Sequence, residues 1–148
     1  MKKTDTVVEL IRQEIENKKL LEIACGSADF SLSAARYAEE ILCIDVDEKR
    51  LNEKVREIGN ILFQKMDATE IKCGDCSFDI IVIYNGLYHI RNQYNKIISE
   101  CKRVLKKEGH LFIIGTWKLD ITLMTEWFDS KAENLKDNCI VDMKAEDL

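Results

Sequence analysis

The run Phe78–Tyr84, FDIIVIY, constrains this chain more than any other stretch. Consecutive β-branched residues describe a strand with no wet face, and such strands lie in parallel sheets covered on both sides. Parallel neighbours require crossover connections, so the rest of the chain has to alternate strands with helices. Val8, Ile11 and Ile15 recur at helical spacing behind a Thr4/Asp5 cap, and KLLEIAC follows as a strand. After a break at Gly26, Phe30, Ala34 and Ala38 mark a helix, and EILCID is the second strand. Asp47 is placed to cap a helix carrying Leu51, Val55 and Ile58 as far as Gly59, before ILFQKM as the third strand. Tyr94, Ile97, Ile98, Cys101, Val104 and Leu105 form the clearest helical stripe, closed by Lys106, Lys107 and Gly109, and HLFIIGTW is the fifth strand. Beyond Trp117, Leu123, Met124, Trp127 and Phe128 predict one more helix, and NCIVDM a short sixth strand. The expectation is one α/β domain over residues 1–148, a doubly wound, mostly parallel sheet with helices on both faces.

Composition removes several functions. With 22 basic against 27 acidic side chains and a net charge of -5, a broad phosphate-tracking surface is not expected, and neither is a nucleic-acid partner. No apolar stretch approaches the ~20 residues that cross a bilayer, and MKKTDTVVELIRQEIE runs into acids and helical spacing without the apolar block of a secretion signal. A cytoplasmic protein without a membrane partner is expected. Most of the 6 cysteines sit singly in apolar segments and read as reduced thiols. Cys73 and Cys76 offer two thiolates, but His89 and His110 have no paired spacing to complete a four-ligand centre, so no metal is expected.

In an open parallel sheet, ligands bind beyond the carboxyl ends of the strands. Those ends fall at Ala24-Cys25-Gly26, at Asp45, at Asp67-Ala68 and at Asn85-Gly86. Gly26 with the small Ser27 and Ala28 lets backbone amides approach an anionic group at a helix start. Asp45, nineteen positions after Gly26, is placed to accept both hydroxyls of a ribose. Glu22, Asp29, Asp45 and Asp67 fall on or near the same crevice, which favours a cation over a pyrophosphate. ACGSADFS also lacks the three glycines of a dinucleotide fingerprint, so a nicotinamide-dependent oxidoreductase is the weaker alternative. S-adenosylmethionine, with its adenine, ribose, carboxylate and two positive groups, fits this inventory.

From Leu20 to Thr116 the chain resembles the class I S-adenosylmethionine-dependent methyltransferases, which have a Rossmann-like fold. Glu22, Ala24, Gly26 and Ala28 match the family's acidic residue followed by glycines at alternating positions, although only the middle glycine is present. ILCIDVDEKRL is similar to the ribose-binding strand and turn, with Asp45 in the acidic position and Val46 beside it. QKMDATEI resembles the adenine-flanking segment, which implies that Asp67 meets the adenine amino group while Met66 and Ala68 pack near the ring. SFDIIVIYNGLYHI and CKRVLKKEGHLFII look like the fourth strand with its turn and the junction into the fifth. The resemblance implies that Glu22 helps to hold the methionine ammonium. It also implies that Cys25 lines the loop, and that Asn85, Tyr88 and His89 face the transferred methyl. Alanine resists left-handed backbone angles at ~1–2 kcal/mol, so Ala24 and Ala28 are expected to be right-handed or to weaken binding.

The implied reaction is methyl transfer to a small-molecule acceptor by direct displacement, leaving S-adenosylhomocysteine. His89 is the candidate proton acceptor, and Tyr88 and Trp117 are candidates for an acceptor pocket. A module that binds the cofactor without transfer is the alternative. YNGLY lacks the Asn/Asp-Pro-Pro-aromatic pattern of relatives that methylate planar amino groups in nucleic acids or proteins. The residues after Trp117 look too few to supply both the family's final antiparallel strand pair and a cover for the acceptor. A minimal domain lacking that pair, a truncated chain, and a homo-oligomer completing an unfinished sheet edge therefore stay open.

Overall fold

Strand β1 (Lys19–Ile23) is buried at every residue after Lys19, as a strand covered on both faces must be. The computed structural model to which it belongs describes residues 2–129, 132–135 and 138–148, with the backbone alone for 133–135. Strand β1 pairs in parallel with β2 (Glu40–Asp45) on one side and β4 (Phe78–Tyr84) on the other. The third strand, β3 (Ile61–Lys65), extends the sheet beyond β2, and β5 (Leu105–Gly115) beyond β4, both in parallel. Period-two alternation sorts the side chains into two cores. Leu20, Ile80 and Val82 join α1 (Lys3–Leu10), α2 (Arg12–Ile15) and α3 (Asp29–Ala34) on one face. Leu21, Ile23, Ile81 and Ile83 join α4 (Leu87–Ile90), α5 (Tyr94–Val104) and α6 (Lys118–Phe128) on the other. FDIIVIY is central, as its composition requires.

The final antiparallel pair is present, which corrects the expectation drawn from the short C-terminal segment. Strand β7 (Asn138–Lys144) runs antiparallel to β5, and β6 (Glu133–Leu135) pairs antiparallel outside it. The seven-stranded order is β3-β2-β1-β4-β5-β7-β6. A three-residue outer strand is enough to close the pair, so β7 is not left as the edge of the sheet.

Three local expectations also change. Asp47 does not cap a helix: its Oδ1 accepts from the Lys49 amide in a turn, and the segment that follows is only a 3₁₀ helix, Glu53–Glu57, capped by Asn52. At the N-terminus the helix begins at Lys3, so Asp5 works from the third position and accepts from the Lys2 amide at 3.3 Å. Helix α5 stops at Val104, and Leu105 already belongs to β5.

Between β3 and β4 the chain makes turns without a helix. This segment is fastened from α5: Arg103 donates to the carbonyls of Ile71 and Cys73 and to Asp75, while Glu100 accepts from the Ile71 amide at 2.8 Å. Among the described residues no helix is long and apolar enough to cross a membrane.

Candidate functional site

Connections from β1 leave toward one face of the sheet and those from β4 toward the other, so the chain parts between two adjacent strands. A cleft of about 660 Å³ opens there. The tips of four strands bring Ala24, Cys25, Gly26, Asp45, Val46, Met66, Asp67, Ala68 and Asn85 to its wall, and α4 adds His89. Glu22 and Ala28 are not on that wall; both are buried beneath it.

The turn after β1 is built from left-handed residues. Ala24, Gly26 and Ala28 have φ of 54°, 55° and 64°, so the two alanines adopt the conformation expected only of glycine, at ~1–2 kcal/mol each. Hydrogen bonds hold the turn in that shape. The Asp45 carboxylate accepts from the Gly26 amide at 2.8 Å, Cys25 donates its amide to the Ile44 carbonyl, and Ala28 donates to the Cys25 carbonyl. On the far side of the cleft, Gly86 lets the turn after β4 close on the first: a Cβ there would lie 3.2 Å from that of Ala24.

Strand alternation explains Glu22. It shares a face with Leu20, beneath α3, and its Oε1 accepts from the Ser31 hydroxyl at 2.6 Å and the Ser31 amide at 3.2 Å. A carboxylate on the third residue of a helix satisfies an otherwise orphan donor. Burial pushes the Glu22 carboxyl well above its ordinary value, against the smaller opposing pull of Ser31. Burial and a hydrogen bond to Cys43 likewise push the Cys25 thiol up, with the Cys43 bond the larger cause. All the cysteines are free; Cys73 and Cys76 lie in the turns before β4. No group of side chains able to hold a metal ion is found among the described residues.

The wall is not purely negative. Asp29, Asp45, Asp47 and Asp67 share it with Lys2, Lys3 and Arg50. At the β2–β3 end, Val46 is 62% exposed beside Met66, an apolar surface open to a flat ring. Asp67 starts a turn with one oxygen: its Oδ1 accepts from the Thr69 amide and hydroxyl, and these bonds hold its carboxyl below the usual value, the amide contributing most.

At the β4–β5 end, Asn85 is left-handed (φ 51°) and its side chain clamps two strand tips together. Its Nδ2 donates to the Thr116 hydroxyl at 2.8 Å, and its Oδ1 accepts from the Thr116 amide at 2.7 Å. Trp117, 51% exposed, and His89 form the outer rim. Tyr84 lies inside it, stacked at a tilt on Phe30 with centroids 5.7 Å apart, and burial raises its hydroxyl pKa. Tyr88 is not on the wall. Its amide donates to the buried Asp120, and Arg91 lies over its ring at 3.8 Å.

Arg50 and Phe30 are wall residues that strand-end reasoning does not reach, whereas Thr116 lies just past the tip of β5. Arg50 follows Asp45 by one turn, a spacing that places it near the first loop, but nothing in a single arginine marks it in advance.

Comparison with known proteins agrees with this geometry. The profile of a family described as "Methyltransferase domain" matches residues 21–113. A demethylmenaquinone methyltransferase of Bacteroides fragilis is 31% identical over 119 residues, covering 75% of this chain and 48% of the relative. The chain spans about half the length of the curated relatives it matches. A solved S-adenosylmethionine-dependent methyltransferase from Aquifex aeolicus superposes with a TM-score of 0.73 at 18% identity, covering 95% of this chain and 89% of that one. The [4+2]-cyclase SpnF superposes at 0.66 with 24% identity, over 75% of this chain and 44% of that one. At such identities both structures speak to the fold.

Proposed function

Because this chain belongs to the class I S-adenosylmethionine-dependent methyltransferase family, we propose that its cleft binds S-adenosylmethionine and directs its methyl group to a small-molecule acceptor. One observation carries the reading: the tips of β1 to β4 converge on a single cleft with the ribose candidate Asp45 on its wall. The donor set suits the cofactor. Asp45 presents a carboxylate to the ribose, Val46 and Met66 offer an apolar slot for adenine, and Asp67 keeps its second oxygen for the exocyclic amine. Glu22 is assigned to holding α3 under the loop, since its bonding oxygen is committed to Ser31; Asp29, which is on the wall, takes over the ammonium.

When bound, the cofactor supplies a methyl on a sulfonium, already activated for displacement. The chain's work is therefore placement, which contributes on the order of 7–11 kcal/mol when the nucleophile is held in line. The strained loop and the Asn85–Thr116 clamp fix the two sides of the cleft, Trp117 and Tyr84 bound the acceptor's space, and His89 stands at the rim to accept a proton from a hydroxyl or amine. Relatives named for menaquinone biosynthesis point to a ring compound as acceptor, and the aromatic rim suits one. We further read residues 1–148 as one cofactor-binding unit working in the cytoplasm without nucleic acid.

Titration calorimetry with S-adenosylhomocysteine is expected to show one binding site, and labelled methyl is expected to pass to a ring acceptor. Absence of binding overturns the reading. Binding without transfer to any acceptor leaves a cofactor-binding module.

A further inference from the structure

Most of the amides that sequence reasoning reserves for an anion are already in use. Those of Cys25, Gly26, Ala28, Asp29 and Ser31 donate to the Ile44 carbonyl, Asp45, the Cys25 carbonyl, Ser27 Oγ and Glu22 respectively. Two of these acceptors are carboxyl groups. An incoming carboxylate at the loop would have to displace them or meet them, and either is unfavourable. Nor does α3 offer a terminus to an anion, since it is six residues long and Glu22 occupies its first turn.

Arg50 is differently placed. Its guanidinium lies directly over the loop: a Cβ on Gly26 would sit 3.5 Å from both Cζ and one terminal nitrogen. Arg12, Arg36, Arg56, Arg91 and Arg103 all hold protein partners. Among the described residues Arg50 alone of the arginines makes no hydrogen bond, ion pair or ring contact, although the wall it shares holds four aspartates. A planar fork of donors suits a carboxylate bidentately, which the flexible ammoniums of Lys2 and Lys3 cannot match.

We propose that Arg50 is the group that recognises the carboxylate of the cofactor's methionine moiety, in place of the loop amides. The assignment rests on the reading of the cleft as an S-adenosylmethionine site. With Asp29 on the ammonium, it gives each charge of the amino-acid moiety one opposite charge on the wall.

The test compares two ligands by calorimetry on the whole chain: S-adenosylhomocysteine, and 5′-methylthioadenosine, which keeps the adenosine and the thioether but has no amino-acid part. Arg50→Gln is expected to weaken S-adenosylhomocysteine about 10-fold or more, the usual scale of a charge-assisted bond, and to leave 5′-methylthioadenosine within twofold. Arg50→Lys is expected to fall between. Thermal melts of the unliganded variants control for folding, which an exposed side chain without partners should not disturb. Unchanged affinity for S-adenosylhomocysteine in Arg50→Gln overturns the proposal, and so does an equal loss for both ligands, which would make Arg50 a support of the loop. Failure of the unaltered protein to bind either ligand would instead overturn the underlying reading of the cleft.

Discussion

The two ends of the cleft are built by different means. At the β1–β2 end the wall is backbone: three left-handed residues within five positions, with Asp45 and Glu22 spending their hydrogen bonds on amides of the loop and of α3. At the β4–β5 end it is side chains, with Trp117 and His89 exposed at the rim and the Asn85–Thr116 clamp fixing the floor. A surface made of backbone can hold one ligand shape and no other. A surface made of exposed side chains can change with few substitutions. The first suits a shared cofactor, the second a particular acceptor.

Substitutions that exchange the character of the two ends test this contrast. Asp45→Ala removes the carboxylate proposed for the ribose and the acceptor of the Gly26 amide together, and is expected to weaken S-adenosylhomocysteine by about 100-fold in calorimetry, as two charge-assisted bonds would. Asp45→Asn keeps an oxygen for Gly26 and should recover unliganded stability but not affinity; equal affinity in the two variants and the parent would remove Asp45 from the ligand. The strain at the alanines gives a smaller and unequal signal. Ala24→Gly relieves ~1–2 kcal/mol of backbone strain against ~0.4–1 kcal/mol of added chain entropy, so denaturation should show a gain of about 0.5–1 kcal/mol. At Ala28 the lost burial of a methyl, ~0.8 kcal/mol, cancels that gain, and Ala28→Gly should be close to neutral.

Glu22 supplies a pH-dependent test. Its folded-state pKa is raised, so the folded form binds more protons than the unfolded one above the ordinary value of 4.5. The contribution is complete below that value and is lost as pH climbs through the folded pKa. Glu22→Gln, which keeps an acceptor for Ser31, should flatten the fall in melting temperature as pH rises above the ordinary carboxyl range. It should leave cofactor affinity within about twofold, whereas a large loss of affinity would return Glu22 to the ligand. The smallest effects are expected at the rim. His89→Ala and Trp117→Ala should change stability by no more than about 0.5 kcal/mol and leave S-adenosylhomocysteine binding intact, their consequence appearing only in turnover once an acceptor is supplied.

The same contrast explains what could be read from residues alone. Apolar runs such as FDIIVIY dictate a covered sheet, and strand ends then dictate a site, so Asp45, Met66 and Asn85 were reachable from the sequence. The handedness of Ala24 and Ala28 was not, because propensity argues against it and only the surrounding hydrogen bonds impose it. The resemblance gives Glu22 to the ligand and its charge agrees; that alternation with Leu20 turns it under α3 is visible only in the fold. Of the final strand pair, NCIVDM is legible as a strand, whereas the three residues of its partner β6 carry too short a pattern to read. Arg50 became legible only when its lack of partners could be seen beside those of the other arginines.

The turns between β3 and β4 carry Met66, Asp67 and Ala68, yet what secures them is Arg103 and Glu100, anchored on a helix behind the sheet. The berth we propose for the nucleoside is thus riveted from outside, and loosening that rivet should quicken the nucleoside's departure without altering a single atom it touches.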